Sequence, residues 1–419
     1  MRIAVWHNLP YGGAKRALFE HLKALKEEGN FVEIWTTDFH IDQPLDLQLF
    51  GKQHVISMGL GAENLHSRYK NPMSIIETRK TIDKLKEVQK YAADQINSLG
   101  FDVAFVNSCS VSYMPFISEF LSIPSILYLG EPYRWLYEAS PENIWQAGNF
   151  HKFQLGARWF DYKITYSKRL QVRQEINAAK RYAKVLVNSF YSKESVMRAY
   201  GIEPEVCKLG VDTELFNNTR YEEKENYVVG MGVLYAPKGT ERAIYLVGKI
   251  RADIRPKLYW IANGVDGEYL KHVTLLAIEK GVDFEVLVNI SQSNLVERLA
   301  KAKFMLYTPR LEPLGLAPLE ANACGTFVIG IAEGGVRETI IHQRNGFLID
   351  SIHDKKFPEY AETLLTDKEL SVRLGSQARD FVIENWSFSH LKKNICNAIN
   401  SVFEPEGVSK VIHGDKNDE

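Results

Sequence analysis

Residues 308–325 read Thr308-Pro-Arg-Leu-Glu-Pro-Leu-Gly-Leu-Ala-Pro-Leu-Glu-Ala-Asn-Ala-Cys-Gly325. Pro318 suits the first turn of a helix, where its missing N–H would have no partner. Gly325 suits the helix end, because glycine adopts the left-handed conformation found there. The apolar run that follows, residues 326–330, is typical of a buried strand. The segment is therefore predicted to form a loop, a short helix and a strand.

This segment places two carboxylates, Glu312 and Glu320, on either side of a helix start at Gly315. The first N–H groups of a helix have no partner within it, and with the helix dipole they bind phosphate. One carboxylate before an anion site and another behind it suit a phosphate-linked polyol such as a nucleotide-sugar. Two solvated glutamates on a surface helix are the alternative, which the Pro-Leu-Gly-Leu-Ala-Pro-Leu context disfavours.

Length and composition predict a soluble protein of two domains. A chain of 419 residues is too long for one core, and 45% hydrophobic with 25% charged residues is ordinary for a globular protein. A net charge of −1 argues against a nucleic-acid partner bound through overall basicity. No apolar run approaches the ~18–20 residues that span a bilayer.

The N-terminus lacks the layout of a signal peptide, and the four cysteines are scattered without metal-ligand spacing. We therefore expect a cytoplasmic protein with reduced cysteines. Because no Asp-x-Asp pair is present, the sequence offers no obvious carboxylate site for a divalent metal. No cofactor is predicted.

Strand-like runs alternate with helical periodicity along the whole chain. The first half has predicted strands at 2–6, 31–36, 103–106, 125–129 and 185–188 and helices at 14–26, 73–98 and 153–183. The alternation restarts with strands at 227–231, 258–262, 284–288, 304–307, 327–331 and 347–349. This order predicts an α/β fold with two doubly wound, Rossmann-like parallel sheets. Ligands of such sheets bind at the carboxyl ends of the strands, so the active site is expected in the cleft between the domains.

Several motifs, in this order, resemble the GT-B-fold glycosyltransferases of the large retaining family 4, including a mannosyltransferase-like subgroup. The resemblance covers residues 2 to about 403. It rests on the Gly12-Gly13 loop, an Asn-Ser segment at 187–192, a Gly-Val-Asp linker at 209–216, Lys238-Gly239, the two glutamates, Gly334-Gly335 and Asn345-Gly346.

The resemblance implies domain roles. Residues 1–210, rejoined by a last helix at about 387–403, would bind the acceptor, and residues 211–386 would bind the nucleotide-sugar. The polar stretch 210–226 is the expected boundary, and the tail 404–419 is predicted to be disordered.

The implied function is retaining, metal-independent transfer of a hexosyl unit from a UDP- or GDP-linked sugar to a carbohydrate or lipid-linked acceptor, in glycan, polysaccharide or glycolipid synthesis. Glu312 would stabilise charge at the anomeric carbon, and Glu320 would accept hydrogen bonds from the ribose. The predicted donor-binding residues are Gly12, Gly13, Lys238, Asn263, Gly264, Ile290, Pro313, Leu314, Gly315, Leu316 and Glu320. A plain turn for the glycine pair, a solvated Lys238 and ordinary strand-to-helix loops are the alternatives.

Two departures from the family pattern concern charge. Gly232 or Val233 stands where an arginine usually precedes the Lys-Gly pair, so a cation is missing near the leaving group, and Arg242 and Arg310 are candidates to compensate. In residues 126–137, Gly130 stands where a mannosyltransferase-like segment has histidine. The adjacent Glu131 is predicted to bind the acceptor or act in catalysis, with a plain loop carboxylate as the alternative.

Residues 151–198 are rich in lysine and arginine. A basic helical face could rest on anionic lipid at the inner face of the membrane and reach a lipid-linked acceptor, and a charge-rich solvated helix is the alternative.

Two other functions compete with transfer. The missing arginine and histidine point to a non-catalytic GT-B subunit, whereas the retained Glu312, Glu320, Lys238 and glycine loops favour an active enzyme. A sugar-nucleotide epimerase would need its own acid and base, and the absent histidine disfavours it.

Overall fold

The computed structural model describes residues 1–40, 45–59, 75–137, 155–217 and 223–403. The tail 404–419, predicted to be disordered, lies outside these residues. We expect the loops at residues 38–71 and 131–149 to select the acceptor, and parts of both also lie outside the described residues.

The first sheet is parallel and, within the described residues, has seven strands in the order β3-β2-β1-β4-β5-β6-β7. They are β1 (Arg2–Asn8), β2 (Phe31–Thr37), β3 (Lys52–Ile56), β4 (Val103–Cys109), β5 (Ser125–Tyr128), β6 (Lys184–Val187) and β7 (Glu205–Val206). The helices of this half are α1 (Gly13–Glu27), α2 (Ile75–Ser98), α3 (Arg134–Tyr137), α4 (Leu155–Ala179) and α5 (Phe190–Tyr200).

The second sheet is also parallel, and its six described strands have the order β10-β9-β8-β11-β12-β13. They are β8 (Tyr227–Met231), β9 (Lys257–Ala262), β10 (Phe284–Val288), β11 (Met305–Tyr307), β12 (Val328–Ile331) and β13 (Gly346–Ile349). The helices here are α6 (Thr240–Gly248), α7 (Gly267–Glu279), α8 (Gln292–Lys301), α9 (Leu316–Ala323), α10 (Val336–Thr339), α11 (Phe357–Thr366), α12 (Lys368–Trp386) and α13 (Phe388–Asn400).

Strand β1 shows why these sheets are covered on both faces. Ile3 and Val5 belong to one buried apolar cluster, and the alternate residues Ala4 and Trp6 belong to another. All four are at most 1% exposed. Side chains that alternate along a strand and are buried on both sides require helices on both faces of a parallel sheet. Full burial of each large apolar side chain contributes about 1.5–3 kcal/mol.

The predicted α/β class with two parallel sheets is confirmed. Each predicted strand is present, with ends that differ by no more than three residues. Two short strands were not predicted. Lys52–Ile56 begins with polar residues at the sheet edge, and Glu205–Val206 is only two residues long.

The chain passes between the two halves at two adjacent places. The Val211 N–H donates to Trp386 O at 2.7 Å, and Val211 pairs with Ser387 in a parallel bridge. A Cβ on Gly210 would lie 2.5 Å from Ser387 O, so only glycine allows this approach. After the second crossing, α13 packs against α1, where Lys392 forms an ion pair with Glu28 at 2.9 Å. The exact domain limits stay a prediction.

Candidate active site

The loop after β11 lies beside the turn at Lys238-Gly239. Thr308 Oγ1 donates to Gly239 O at 2.8 Å, and the Arg310 N–H donates to Pro237 O at 3.0 Å. Gly239 has φ +78°, and a Cβ there would lie 2.1 Å from Thr308 O. A glycine at this position therefore allows the turn at Lys238-Gly239 to pack against the loop after β11.

Lys238 and Glu312 are paired at this junction. The Lys238 ammonium lies 3.0 and 2.9 Å from the two carboxylate oxygens of Glu312, and both side chains are mostly buried. Burial opposes the charged form, but the Glu312 carboxylate outweighs it and raises the pKa of Lys238. The negative charge of Glu131 acts in the same direction. The structure thus pairs Lys238 with Glu312, and a catalytic role for Glu131 stays a prediction.

Gly232, one of the two residues considered for the position of the missing arginine, lies beside the Lys238 side chain. Its φ is +150°, and a Cβ there would lie 3.3 Å from Cγ and Cδ of Lys238. Without a side chain at residue 232, the lysine stem runs close to the strand end.

Helix α9 begins without a side-chain cap at Gly315, which has φ +92°. Leu316 and Ala317 of its first turn are partly exposed, and Pro318 is its third residue. Gly325, with φ +70°, follows the helix end, where its N–H donates to Asn322 O at 2.8 Å. The predicted helix is confirmed, and its start presents backbone N–H donors beside the Lys238–Glu312 pair.

The loop at Pro313 and Leu314 is contacted by Gly335 of its own domain and by Ser189 of the first domain. The Gly335 N–H donates to Glu312 O at 2.8 Å, and a Cβ on Gly335 would lie 2.0 Å from Pro313 O. From the first domain, the Ser189 hydroxyl donates to Pro313 O at 2.5 Å. The backbone of this loop is therefore held by both domains.

A second contact between the domains involves the start of α5. The carboxylate of Glu338 accepts hydrogen bonds from the backbone N–H groups of Phe190 and Tyr191, both at 2.9 Å. A carboxylate at a helix N-terminus is stabilised by the free N–H groups and by the dipole. The C-terminal half thus supplies a cap to a helix of the other half.

Glu320 faces the first domain across the cleft. It is 2% exposed, and its Oε1 accepts a hydrogen bond from Arg16 Nη2 of α1. Its Oε2 is buried and has no hydrogen-bond partner among the described residues. The Glu320 carboxylate raises the pKa of the Arg16 guanidinium. Arg16 was not among the predicted site residues, although it lies three residues after the Gly12-Gly13 loop.

The Gly12-Gly13 loop joins β1 to α1. A Cβ built on either glycine would have no neighbour within 4 Å, so the loop borders open space. Its predicted contact with the donor stays a prediction, as does the alternative of a plain turn.

Asn263 and Gly264 follow β9, and Ile290 follows β10, so they lie at the same edge of the second sheet as Lys238 and Glu312. Asn263 is exposed, and Ile290 lines a cavity together with Asn294 and Arg298.

Arg242 and Arg310, the candidate compensating cations, share one carboxylate. Arg242 Nη2 lies 2.7 Å and Arg310 Nε lies 2.9 Å from oxygens of Glu333. Arg242 also donates to Thr308 O at 3.0 Å. The structure therefore gives both a role in holding the loop after β11, and their role at a leaving group stays a prediction.

Glu131 forms an ion pair with Arg134 Nε at 2.9 Å. At the neighbouring Gly130, a Cβ would lie 3.6 Å from the side-chain amide of Asn188. The polar group beside the position of the missing histidine is therefore an amide.

The basic segment is only partly described. The side chains of Lys152, Arg158, Lys163 and Lys168 lie outside the described set. Lys184 and Lys193 form ion pairs with Glu205 and Glu203 at 2.7 and 3.0 Å. Among the helices that the structure describes, none combines the length and apolar character needed to cross a bilayer. Lipid contact stays a prediction.

Residues 211–381 match the family described as Glycosyl transferases group 1. The N-acetyl-alpha-D-glucosaminyl L-malate synthase of Bacillus anthracis is 30% identical over 176 residues, 42% of this chain and 45% of that protein. A GDP-mannose-dependent alpha-(1-6)-phosphatidylinositol monomannoside mannosyltransferase of Mycobacterium tuberculosis is 26% identical over 230 residues, 50% of this chain and 59% of that protein. The chain thus spans about half the length of these curated relatives.

Solved structures resemble the fold as a whole. Sucrose-phosphate synthase from Thermosynechococcus elongatus has a TM-score of 0.73 at 16% identity, covering 96% of this chain and 99% of that one. Anabaena HepE in complex with UDP-glucose has a TM-score of 0.69 at 17% identity, covering 96% and 100%. At these identities the likeness concerns the fold alone, and the predicted GT-B fold is confirmed.

Proposed function

We propose that this protein transfers a hexosyl unit from a UDP- or GDP-linked sugar to an acceptor hydroxyl, with retention of configuration. The GT-B fold and the match of residues 211–381 to the group 1 glycosyl transferases support this proposal. The observation that carries the proposal is the Lys238–Glu312 pair beside the uncapped start of α9. A cation, a carboxylate and free backbone N–H donors meet there at the carboxyl ends of the strands.

The donor lies along this edge. Its diphosphate accepts hydrogen bonds from the N–H groups at Gly315 and Leu316 and takes the Lys238 ammonium as a point charge. The ribose hydroxyls donate to Glu320, whose Oε2 is buried without a partner among the described residues. The base lies towards Asn263, Gly264 and Ile290.

In the reaction, the bond between the anomeric carbon and the diphosphate oxygen breaks, and a bond from that carbon to the acceptor oxygen forms on the same face. The acceptor proton passes to the departing phosphate oxygen. Glu312 stabilises positive charge at the anomeric carbon, while Lys238 and the helix N–H groups stabilise the leaving diphosphate. Closure of the two domains positions the acceptor, and Glu131 binds it from the first domain.

The acceptor is a carbohydrate or a lipid-linked hydroxyl compound. One relative is named for a phosphatidylinositol monomannoside, which supports the lipid-linked form. In that case the basic segment 151–198 provides peripheral contact with the inner face of the membrane, and the protein acts in the cytoplasm.

The test is a donor panel of UDP-glucose, UDP-N-acetylglucosamine and GDP-mannose with a set of sugar and glycolipid acceptors. Released UDP or GDP gives turnover, and the anomeric coupling in the product NMR spectrum gives the stereochemistry. EDTA is added in parallel to test metal independence. Glu279→Gln, an exposed side chain on α7, serves as control for Glu312→Gln. Nucleotide binding without turnover would support the non-catalytic alternative, and a transfer product with inverted anomeric configuration would refute retention.

A further inference from the structure

Arg16 brings a charged side chain of the first domain to the proposed donor site. It lies on the first turns of α1 and pairs with Glu320, which is 304 positions away in the sequence. Its side chain is 36% exposed, whereas that of Glu320 is 3% exposed. A guanidinium has five N–H donors in a planar fork, so one contact with a carboxylate leaves others to bind a ligand.

The predicted cations near α9 also pair with carboxylates of the protein. Lys238 contacts both oxygens of Glu312, and Arg242 and Arg310 share Glu333. A leaving nucleoside diphosphate carries more than one negative charge, and arginine binds phosphate in the strong bidentate manner that lysine lacks. Among the described residues, Arg16 is the arginine that touches a proposed donor-binding side chain from the opposite wall of the cleft.

The covalent structure of a nucleotide connects these observations. The ribose that would bind Glu320 is joined directly to the first phosphate of the diphosphate. A guanidinium already in contact with Glu320 therefore lies beside that phosphate when the ribose binds. We propose that Arg16 binds the donor diphosphate from the first domain and shares Glu320 with the ribose. This role rests on the proposed function of the site.

Two consequences follow. In the empty site Arg16 compensates the buried charge of Glu320, which would otherwise be costly to bury. In the loaded site the same side chain bridges α1 to the nucleotide, so donor binding draws the two domains together. Arg16 then contributes to affinity through the phosphates and not through the nucleoside.

The experiment compares the dissociation constants of a nucleoside diphosphate and its nucleoside, measured by calorimetry. UDP with uridine and GDP with guanosine are both used, and the pair that the wild type binds is followed. The variants are Arg16→Gln and Arg16→Lys. The matched control is Lys23→Gln, because Lys23 also lies on α1 and forms an ion pair, with Asp212 at 3.1 Å, away from the donor segment.

We expect Arg16→Gln to weaken diphosphate binding about tenfold or more while nucleoside binding changes less than about threefold, as for loss of a charge-assisted hydrogen bond. Arg16→Lys retains the charge but lacks the planar guanidinium, so its loss of diphosphate affinity should be intermediate. Arg16→Lys also replaces Arg16→Gln in the comparison if Arg16→Gln does not fold. Lys23→Gln should leave the ratio of the two constants unchanged.

Equal weakening of diphosphate and nucleoside binding would overturn the proposal, since Arg16 would then act only by orienting Glu320. A lower melting temperature with unchanged affinities would also overturn it and leave Arg16 a structural contact between domains. Failure of the wild type to bind either nucleoside diphosphate would instead refute the donor site itself, together with this role.

Discussion

Replacing Gly335 with alanine tests how the donor loop is held. Gly335 has an ordinary right-handed helical conformation, φ −72° and ψ −8°, so alanine meets no backbone strain there. Without a clash the change would stabilise the fold by about 0.4–1 kcal/mol, because alanine restricts the unfolded chain. The effect of Gly335→Ala therefore depends on contacts alone.

Those contacts are severe. The added Cβ would lie 2.0 Å from Pro313 O, 2.6 Å from Pro313 C and 3.0 Å from Leu314 Cα. These are backbone atoms, so no side-chain rotation relieves the clash. Reaching even 3.0 Å from Pro313 O requires a shift of about 1 Å in the loop that carries Glu312. Misplacement by 1 Å can reduce a rate by about 10²-fold, and overpacking costs about 1–3 kcal/mol.

The assay measures donor affinity, initial rate and thermal unfolding of Gly335→Ala. Gly267→Ala is the control, because a Cβ on Gly267 at the start of α7 has no neighbour within 4 Å. We expect a rate about 10²-fold lower for Gly335→Ala, with the fold retained, and no loss for the control. A rate within twofold of wild type and an unchanged melting temperature for Gly335→Ala would refute the packing of glycine against the donor loop.

Three further predictions concern single carboxylates. Glu312→Gln should reduce turnover about 10²–10³-fold in the transfer assay while changing nucleotide affinity by only a few fold, and turnover within twofold of wild type would contradict its role. Burial raises the pKa of Glu175 to about 8, so its folded state holds a proton more tightly than the unfolded state. The protonated Glu175 therefore adds stability that is fully present below about pH 4.5 and is lost as the pH rises to about 8. Between about pH 5 and 9, the melting temperature of Glu175→Gln should depend less on pH than that of the wild type. Parallel pH dependences of the two proteins would refute the raised pKa. Glu338→Ala removes the acceptor for two helix N–H groups and should lower stability by about 1–3 kcal/mol in urea unfolding, whereas an unchanged midpoint would show that water replaces it.

The sequence predicted those features whose causes are local. Pro318 and Gly325 mark the ends of one helix because their backbone preferences act within a turn, and the structure has a helix between them. Buried strands were recognisable from continuous apolar runs. The edge strand Lys52–Ile56 was missed because half-buried polar residues interrupt that pattern.

Long-range pairing was beyond sequence reasoning. Arg16 meets Glu320 only because the two domains face each other, and no local signal relates positions 304 apart. The sequence suggested that Arg242 and Arg310 lie near Lys238. It gave no sign that Glu333, in the loop after β12, forms ion pairs with both arginines. Side chains with several possible partners therefore need the tertiary structure before a role is assigned.

The paired crossings at Val211 and Ser387 limit how the cleft opens. Two chain segments joined by a hydrogen bond of 2.7 Å, with Gly210 in close backbone contact, resist torsion more than a single linker does. We therefore expect any opening of the cleft to turn about these two adjacent segments. Such a rotation would change mainly the distance between α1 and α9.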